Sequence, residues 1–229
     1  MDEEKIISEG KCLYCSKTIS QQGFTRHIAT HFKLMQAQMP SSQTALHIVV
    51  SAGSYFLHLL APATTSLKTI DSFLRKIWLE CCGHMSAFSN GRWGDDIGIT
   101  RKLGDAFNMK NKIVYRYDFG STTELQVEVK GAYKIATAGI LLISRNEPLA
   151  IMCNSCQQEP ATTICAVHVY DEGEGWYCNN CAAGHEKVCE DFADYAKMPV
   201  VNSPRTGECA YDGGSVDIER DGVYKNKQN

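Results

Sequence analysis

The sequence predicts an α+β protein: a mostly antiparallel sheet with one main helix, flanked by two small modules too short to fold by burying apolar surface alone. Three observations lead there. Alternating apolar residues mark paired strands in the middle of the chain, a single 3.6-residue apolar period marks one helix among them, and cysteines and histidines gather in two groups towards the two ends. The 229 residues, 44% hydrophobic and 21% charged, suffice for one sizeable core with such appendages.

The middle comes first, as residues 45–148. In "ALHIVVSAGSYFLHLLAPA", Leu46, Ile48 and Val50 alternate, then Tyr55, Leu57 and Leu59, which predicts a hairpin turning at Ala52 and Gly53. His47, His58, Gly53 and Pro62 interrupt this stretch, so it does not read as a membrane span. In "SLKTIDSFLRKIWLECCGH", Leu67, Ile70, Phe73, Leu74, Ile77, Trp78 and Cys81 recur at helical spacing, with Gly83 placed to cap the end. Further strands are expected at residues 113–119, 124–130 and 140–144. Cys81 and Cys82, adjacent at a helix end, would diverge by about 100°, so "CCGH" is expected to pack in the core without sharing an ion with His84. Cys209 is expected to be a buried thiol.

Residues 1–34 contain "CLYCSKTISQQGFTRHIATH". Cys12 and Cys15 have knuckle spacing, and His27 and His31 follow with three residues between them, which sets both rings on one helix face. Ile19 and Phe24 stand where so small a unit needs its core. The segment resembles the Cys2His2 zinc finger over residues 10–33, with a ligand-to-ligand loop one residue short of that family's usual length and no aromatic before Cys12. The resemblance implies zinc held by Cys12, Cys15, His27 and His31. Of the base-reading positions it implies, Gly23 can contact no base edge, while Gln22 and Arg26 are the nucleic-acid candidates. Residues 35–44, polar and containing Pro40, read as a linker.

The second group lies in residues 149–197 and falls into four pairs: Cys153 with Cys156, Cys165 with His168, Cys178 with Cys181, and His185 with Cys189. Eight such residues suit two tetrahedral sites. Sequential pairing and interleaved pairing are both open. Interleaving joins Cys153, Cys156, Cys178 and Cys181, and separately Cys165, His168, His185 and Cys189; it is favoured because crossed sites tie together segments that too small a core cannot fix. The order of these residues resembles the cross-brace zinc modules of the B-box, with Cys156 and Cys189 where histidines are usual there. A single zinc ribbon on the first set is the simpler alternative. The loop "DEGEGW" is acidic, which argues against binding a phosphate backbone.

Residues 198–229 form a tail whose first part is expected to return to the core and whose end, after residue 213, is expected to fray. "FLRKIWLECCGHMSAF", "YRYDFGSTTELQVEV" and "MPVVNSPRTGECAYDG" resemble the plasmid ORF-three-like family named after a pRi plasmid, over about residues 45–150 and 198–213. That resemblance implies an α+β fold and an occasional link with plasmids or transposable elements, and no established reaction. Many members carry an Asp, a Trp and a His where this chain has Ser121, Thr123 and Leu125.

Eleven cysteines, with no positively charged and apolar leader in this sequence, point to a reducing compartment, and the expected location is the cytoplasm. A formal net charge of −3 gives no global pull on nucleic acid. The reading is a non-enzymatic zinc-binding protein with three zinc ions, acting as a binding or adaptor module. Its expected partner is a protein, with nucleic-acid contact through the finger as a second expectation and no membrane role. The alternative is a metal-dependent enzyme acting on phosphodiesters near Asp95 and Asp96, with Arg92 and His84, although paired carboxylates in a Gly-rich loop are more often solvated turn residues.

Overall fold

A computed structural model describes residue 6, residues 8–107 and residues 112–221. The ends of the sequence, including the last part of the polar tail at 222–229, lie outside the described residues. The chain begins with a short hairpin, β1 (Glu9–Lys11) and β2 (Thr18–Ser20), leading into helix α1 (Gln21–Gln38). There follow β3 (Ala45–Ala52), β4 (Tyr55–Pro62), α2 (Leu67–Leu74), β5 (Ser86–Ser89), β6 (Asp96–Ile97), α3 (Leu103–Ala106), β7 (Lys112–Tyr117), β8 (Thr123–Tyr133) and β9 (Leu141–Arg145). Seven strands make one sheet in the order β6-β5-β7-β8-β3-β4-β9, and each of these pairings is antiparallel. The fold is α+β, as the periodicities predict.

Chain contacts define two units: Ile7–Leu74 with His84–Glu147, which holds all the elements above, and Arg75–Gly83 with Pro148–Asn229. In the second unit lie β10 (Thr163–Cys165), α4 (Ala166–Glu172), β11 (Trp176–Tyr177), α5 (Asn179–His185), β12 (Lys197–Pro199) and α6 (Ile218–Asp221). Two π-helical turns, Arg75–Leu79 and Phe192–Ala196, belong to it as well. Its small sheet runs β11-β10-β12. No helix among the described residues is long and apolar enough to cross a membrane.

The hairpin β3–β4 reads as a nearly unbroken apolar run because both faces of these strands are covered. The register Val50↔Leu57 and Val50↔Val127, with Tyr115↔Leu125, puts these side chains on one face. Helix α2 is tied to that side by buried Asp71, which accepts from Tyr115 Oη at 2.7 Å and Ser86 Oγ at 2.6 Å. The opposite face carries Ala45, Phe56 and Leu60, and α1 lays Phe24, Ile28 and Phe32 on them, all fully buried. The finger is therefore docked through its apolar face.

Backbone bonds hold it there. Leu13 N donates to Ile143 O at 3.0 Å, Glu147 N to Glu9 O at 2.7 Å, and Lys134 N to Gln36 Oε1 at 2.6 Å. The approach needs Gly10, since a Cβ there would lie 2.5 Å from Ser144 Oγ and 2.8 Å from Arg145 O. Helix α1 runs on to Gln38, into the stretch expected to be a linker, because Met35 packs against the same cluster. At the other end, the tail does not fray directly after residue 213. It forms α6, where buried Asp221 accepts a hydrogen bond from Gly214 N.

Beneath α1 two histidines face each other inside the sheet: His47 Nε2 lies 2.9 Å from His58 Nδ1, and both are buried. The rings of Phe24 and Phe32 cover them at centroid distances of 4.6 Å and 5.3 Å. Burial, with Lys130 nearby, lowers His47 to about 4, and burial, with His47 and Lys130, lowers His58 to about 2. Both rings are thus neutral when folded. Below their ordinary value of about 6.5 the unfolded chain binds protons that the folded chain refuses, so stability falls with pH from there towards about 4, by at most about 1.4 kcal/mol per pH unit per histidine. We predict that urea midpoints measured between about pH 7.5 and about pH 5.5 at constant zinc content will drop more steeply for the native chain than for a His47→Leu/His58→Leu variant. Equal slopes would remove the pair as the cause. Phe24→Ala should cost about 3–5 kcal/mol by the same unfolding assay.

Candidate metal centres

Two Cys-x-x-Cys turns in the chain are built alike. Ser16 N donates to Cys12 O and Cys12 N to Lys17 O, each at 2.9 Å; Gln157 N donates to Cys153 O at 3.0 Å and Cys153 N to Glu159 O at 2.9 Å. The residue after the second cysteine is left-handed in both, Ser16 at φ 58° and Gln157 at φ 54°. Such a turn sets two sulfurs on the same side of a tight loop.

At the first of these, His27 and His31 project from α1 one turn apart, and the ligand atoms of Cys12, Cys15, His27 and His31 all lie within 4.8 Å of one another. Cys15 Sγ is 3.3 Å from His27 Nε2. With metal–sulfur bonds of about 2.3 Å and metal–nitrogen bonds of about 2.0 Å, a zinc tetrahedron has edges of about 3.3–3.8 Å, so the separation fits.

The second group assembles by crossing. Cys165 and Cys178 are the N-cap residues of α4 and α5, so Cys165 and His168 sit at the start of one helix and Cys178 and Cys181 at the start of the other. The ligand atoms of Cys153, Cys156, Cys178 and Cys181 lie within 4.8 Å of one another, as do those of Cys165, His168, His185 and Cys189. This is the interleaved arrangement, not the sequential one. Cys156 Sγ and Cys178 Sγ are 3.9 Å apart, and His168 Nδ1 is 3.1 Å from Cys165 Sγ and 4.0 Å from Cys189 Sγ. Asn154, inside the knuckle, accepts at Oδ1 from Gly175 N (3.0 Å) and Trp176 N (2.8 Å), which ties the knuckle to the strand leading into Cys178 of the same site. Gly175, at φ 140°, must be glycine: a Cβ would lie 2.8 Å from Cys165 O.

The donor sets suit zinc chemically. His185 Nε2 is buried with no hydrogen-bond partner, a costly state that a metal bond relieves. Burial keeps His27 below the ordinary imidazole value, and burial with the neighbouring His168 does the same for His185, so both offer the neutral ring that ligation requires. Burial alone would raise Cys153, but the backbone N–H groups of Cys156, Cys178 and Ser155 outweigh it and bring the thiol down to about 6. Burial, together with neighbouring thiols, pushes Cys178 up to about 12. Within one site the Cys153 thiol is thus lowered and the Cys178 thiol raised.

Elsewhere the outcome is mixed. Gln22 and Arg26 are exposed on α1, away from its docked face. Asp95 and Asp96 are exposed as well, with Asp96 Oδ1 3.5 Å from Arg116 and Arg92 3.6 Å from Glu124. The expectation for "CCGH" is corrected. The helix widens into the π turn that ends at Leu79, so Cys81 and Cys82 lie beyond it and the divergence of helical neighbours does not apply. Their sulfurs are 3.9 Å apart. Cys209 is exposed, not buried, with its sulfur 3.5 Å from that of Cys82. Sequence reasoning missed this grouping; the signal was a cysteine in each of two quoted motifs, "CCGH" and "GECAYDG".

No family model matches the chain, and no curated protein matches it. Among solved structures, a protein of unknown function from Methanosarcina mazei Go1 is similar at 15% identity and a TM-score of 0.37, over 44% of this chain and 67% of that one. That likeness bears on neither fold nor function.

Because each crossed site joins distant segments, we predict that Cys178→Ser or His185→Ala removes zinc from the C-terminal module and loosens it cooperatively, while the zinc of the finger stays. Structural zinc is worth about 10 kcal/mol or more to a module of this size, so the loss should be all-or-none. Metal content by elemental analysis, with amide exchange resolved by segment, would decide this; an unchanged zinc-to-protein ratio would refute it.

Proposed function

We propose that the chain is a non-enzymatic zinc-binding protein whose zinc-braced modules serve as rigid contact surfaces for a protein partner. The observation that carries the reading is the assembly of Cys12, Cys15, His27 and His31, of Cys153, Cys156, Cys178 and Cys181, and of Cys165, His168, His185 and Cys189 into three compact Cys/His groups. Such groups brace loops and leave no open position of the kind a catalytic zinc keeps for water. Thiolate sites of this density fit a reducing compartment, and we place the protein in the cytoplasm on that ground.

The kind of partner follows from the module's surface. Tyr170, Val188 and Tyr195 are 62%, 81% and 64% exposed, and exposed carboxylates neighbour them in sequence at Asp171, Glu174, Glu190, Asp191 and Asp194, while Glu186 pairs with Lys197 at 3.0 Å. Large aromatic and aliphatic side chains among acidic ones suit a basic protein surface and repel a phosphate backbone. The link with mobile genetic elements rests on the sequence resemblance to the plasmid ORF-three-like family.

A second reading, nucleic-acid contact, is favoured by one observation: Gln22 and Arg26 are both exposed, one turn apart on α1. If it holds, Arg26→Ala should weaken DNA binding about tenfold and flatten its salt dependence, measured by fluorescence anisotropy. Binding that ignores both the mutation and the salt would sink it. For the protein reading, crosslinking of the purified chain to a copurifying basic protein should map to Tyr170, Val188 and Tyr195. Val188→Glu with Tyr195→Glu should abolish it at unchanged zinc content, and crosslinks confined to other faces would overturn that surface.

A further inference from the structure

Within the C-terminal unit, the tail wraps the segment Arg75–Gly83. Ser203 Oγ donates to Trp78 O at 2.6 Å and Ser215 N to Lys76 O at 2.7 Å. A Cβ on Gly214 would lie 2.3 Å from Ile77 O, so the two strands of chain touch backbone to backbone. This wrapping carries Cys209 to Cys81 and Cys82. Cys209 and Ala210 are consecutive left-handed residues, at φ 48° and 51°, so the chain accepts strain where it presents this thiol.

The sulfur spacing is that of the other sites. Cys82 Sγ lies 3.9 Å from Cys81 Sγ and 3.5 Å from Cys209 Sγ, against 3.9 Å between Cys156 and Cys178. These distances are far longer than the roughly 2.05 Å of a disulfide and close to the roughly 3.8 Å edge of a zinc–thiolate tetrahedron. Beside them Arg205 is fully buried and donates from one guanidinium nitrogen to Cys81 Sγ at 3.7 Å.

We propose that Cys81, Cys82 and Cys209 bind a fourth zinc ion, which fastens the tail to the segment Arg75–Gly83. Three S–H bonds are exchanged for three zinc–sulfur bonds and the protons leave to solvent, with no oxidant or reductant involved. Three thiolates leave the fourth corner of the zinc tetrahedron to a water molecule.

The test is native mass spectrometry of protein purified without added metal or chelator, paired with brief alkylation by N-ethylmaleimide. Four zinc ions per chain are expected, falling to three in a Cys82→Ser/Cys209→Ser variant, and Cys82 and Cys209 should resist alkylation until a chelator is added. Alkylation of the native chain keeps the test decisive even if the variant does not fold. Three ions with rapid alkylation of the exposed Cys82 and Cys209 would overturn the proposal. So would four ions retained by the variant, or a denatured mass two hydrogens lighter than the reduced chain, which would mean a disulfide. Failure of the three-site reading would look different, since alkylation would then reach Cys153 to Cys189 or Cys12 and Cys15.

Discussion

Crowding of sulfur and imidazole donors is the constraint on which the rest of the structure depends. Four such atoms within 4.8 Å of one another repel when ionised, and when neutral they gain little from packing that a methyl group would not give. The opposing directions at one site, Cys153 brought down to about 6 and Cys178 pushed up to about 12, express that frustration. A divalent cation resolves it by letting every thiol ionise at once. The short strands and helices of the C-terminal module, between two and seven residues each, have too little apolar surface to hold their loops otherwise.

The N-terminal finger obeys the same constraint with a different solution for its apolar side. Its helix gives Phe24, Ile28 and Phe32 to a cluster shared with the sheet, so its core is continuous with Ala45, Phe56, Leu60 and Ile143. A finger on a flexible string turns freely to follow a groove; this one is fixed to the sheet by backbone bonds at Leu13 and Glu147. Its exposed face is thereby presented in a fixed direction. The buried pair His47 and His58 is the cost of that docking, since α1 seals both rings from water.

Much of this was legible in the sequence. The period-two runs located β3 and β4, and Gly53 sits at φ 57° in the turn between them. Ligand spacing picked out Cys12, Cys15, His27 and His31, whose ligand atoms gather within 4.8 Å of one another, and a size argument favoured the crossed pairing over the sequential one. What the sequence did not disclose depends on tertiary contacts. The change from α-helix to π turn after Leu74 leaves no local signature in "FLRKIWL", and it decides where Cys81 and Cys82 fall. Cys209 lies far along the chain from them, so proximity could only come from the wrapping of the tail. The reach of α1 to Gln38 was hidden for a similar reason, as Met35 packs on the cluster under the sheet and Gln36 accepts from Lys134 just past β8, contacts that no local propensity announces.

The segment Arg75–Gly83 also bears on how the chain comes off the ribosome. Translation delivers it in the middle of the strands of the large sheet, yet its partners Ser203, Arg205 and Ser215 emerge more than a hundred residues later. Until then Trp78, fully buried in the finished protein, has nothing of its own unit to rest against. A nascent chain therefore carries this apolar segment and two cysteines without those partners while more than a hundred further residues are made, at about 5–20 residues per second. Closure of this unit has to wait for residues 203–215, so a product cut short before them offers chaperones or proteases the same residues that the wrapped tail covers.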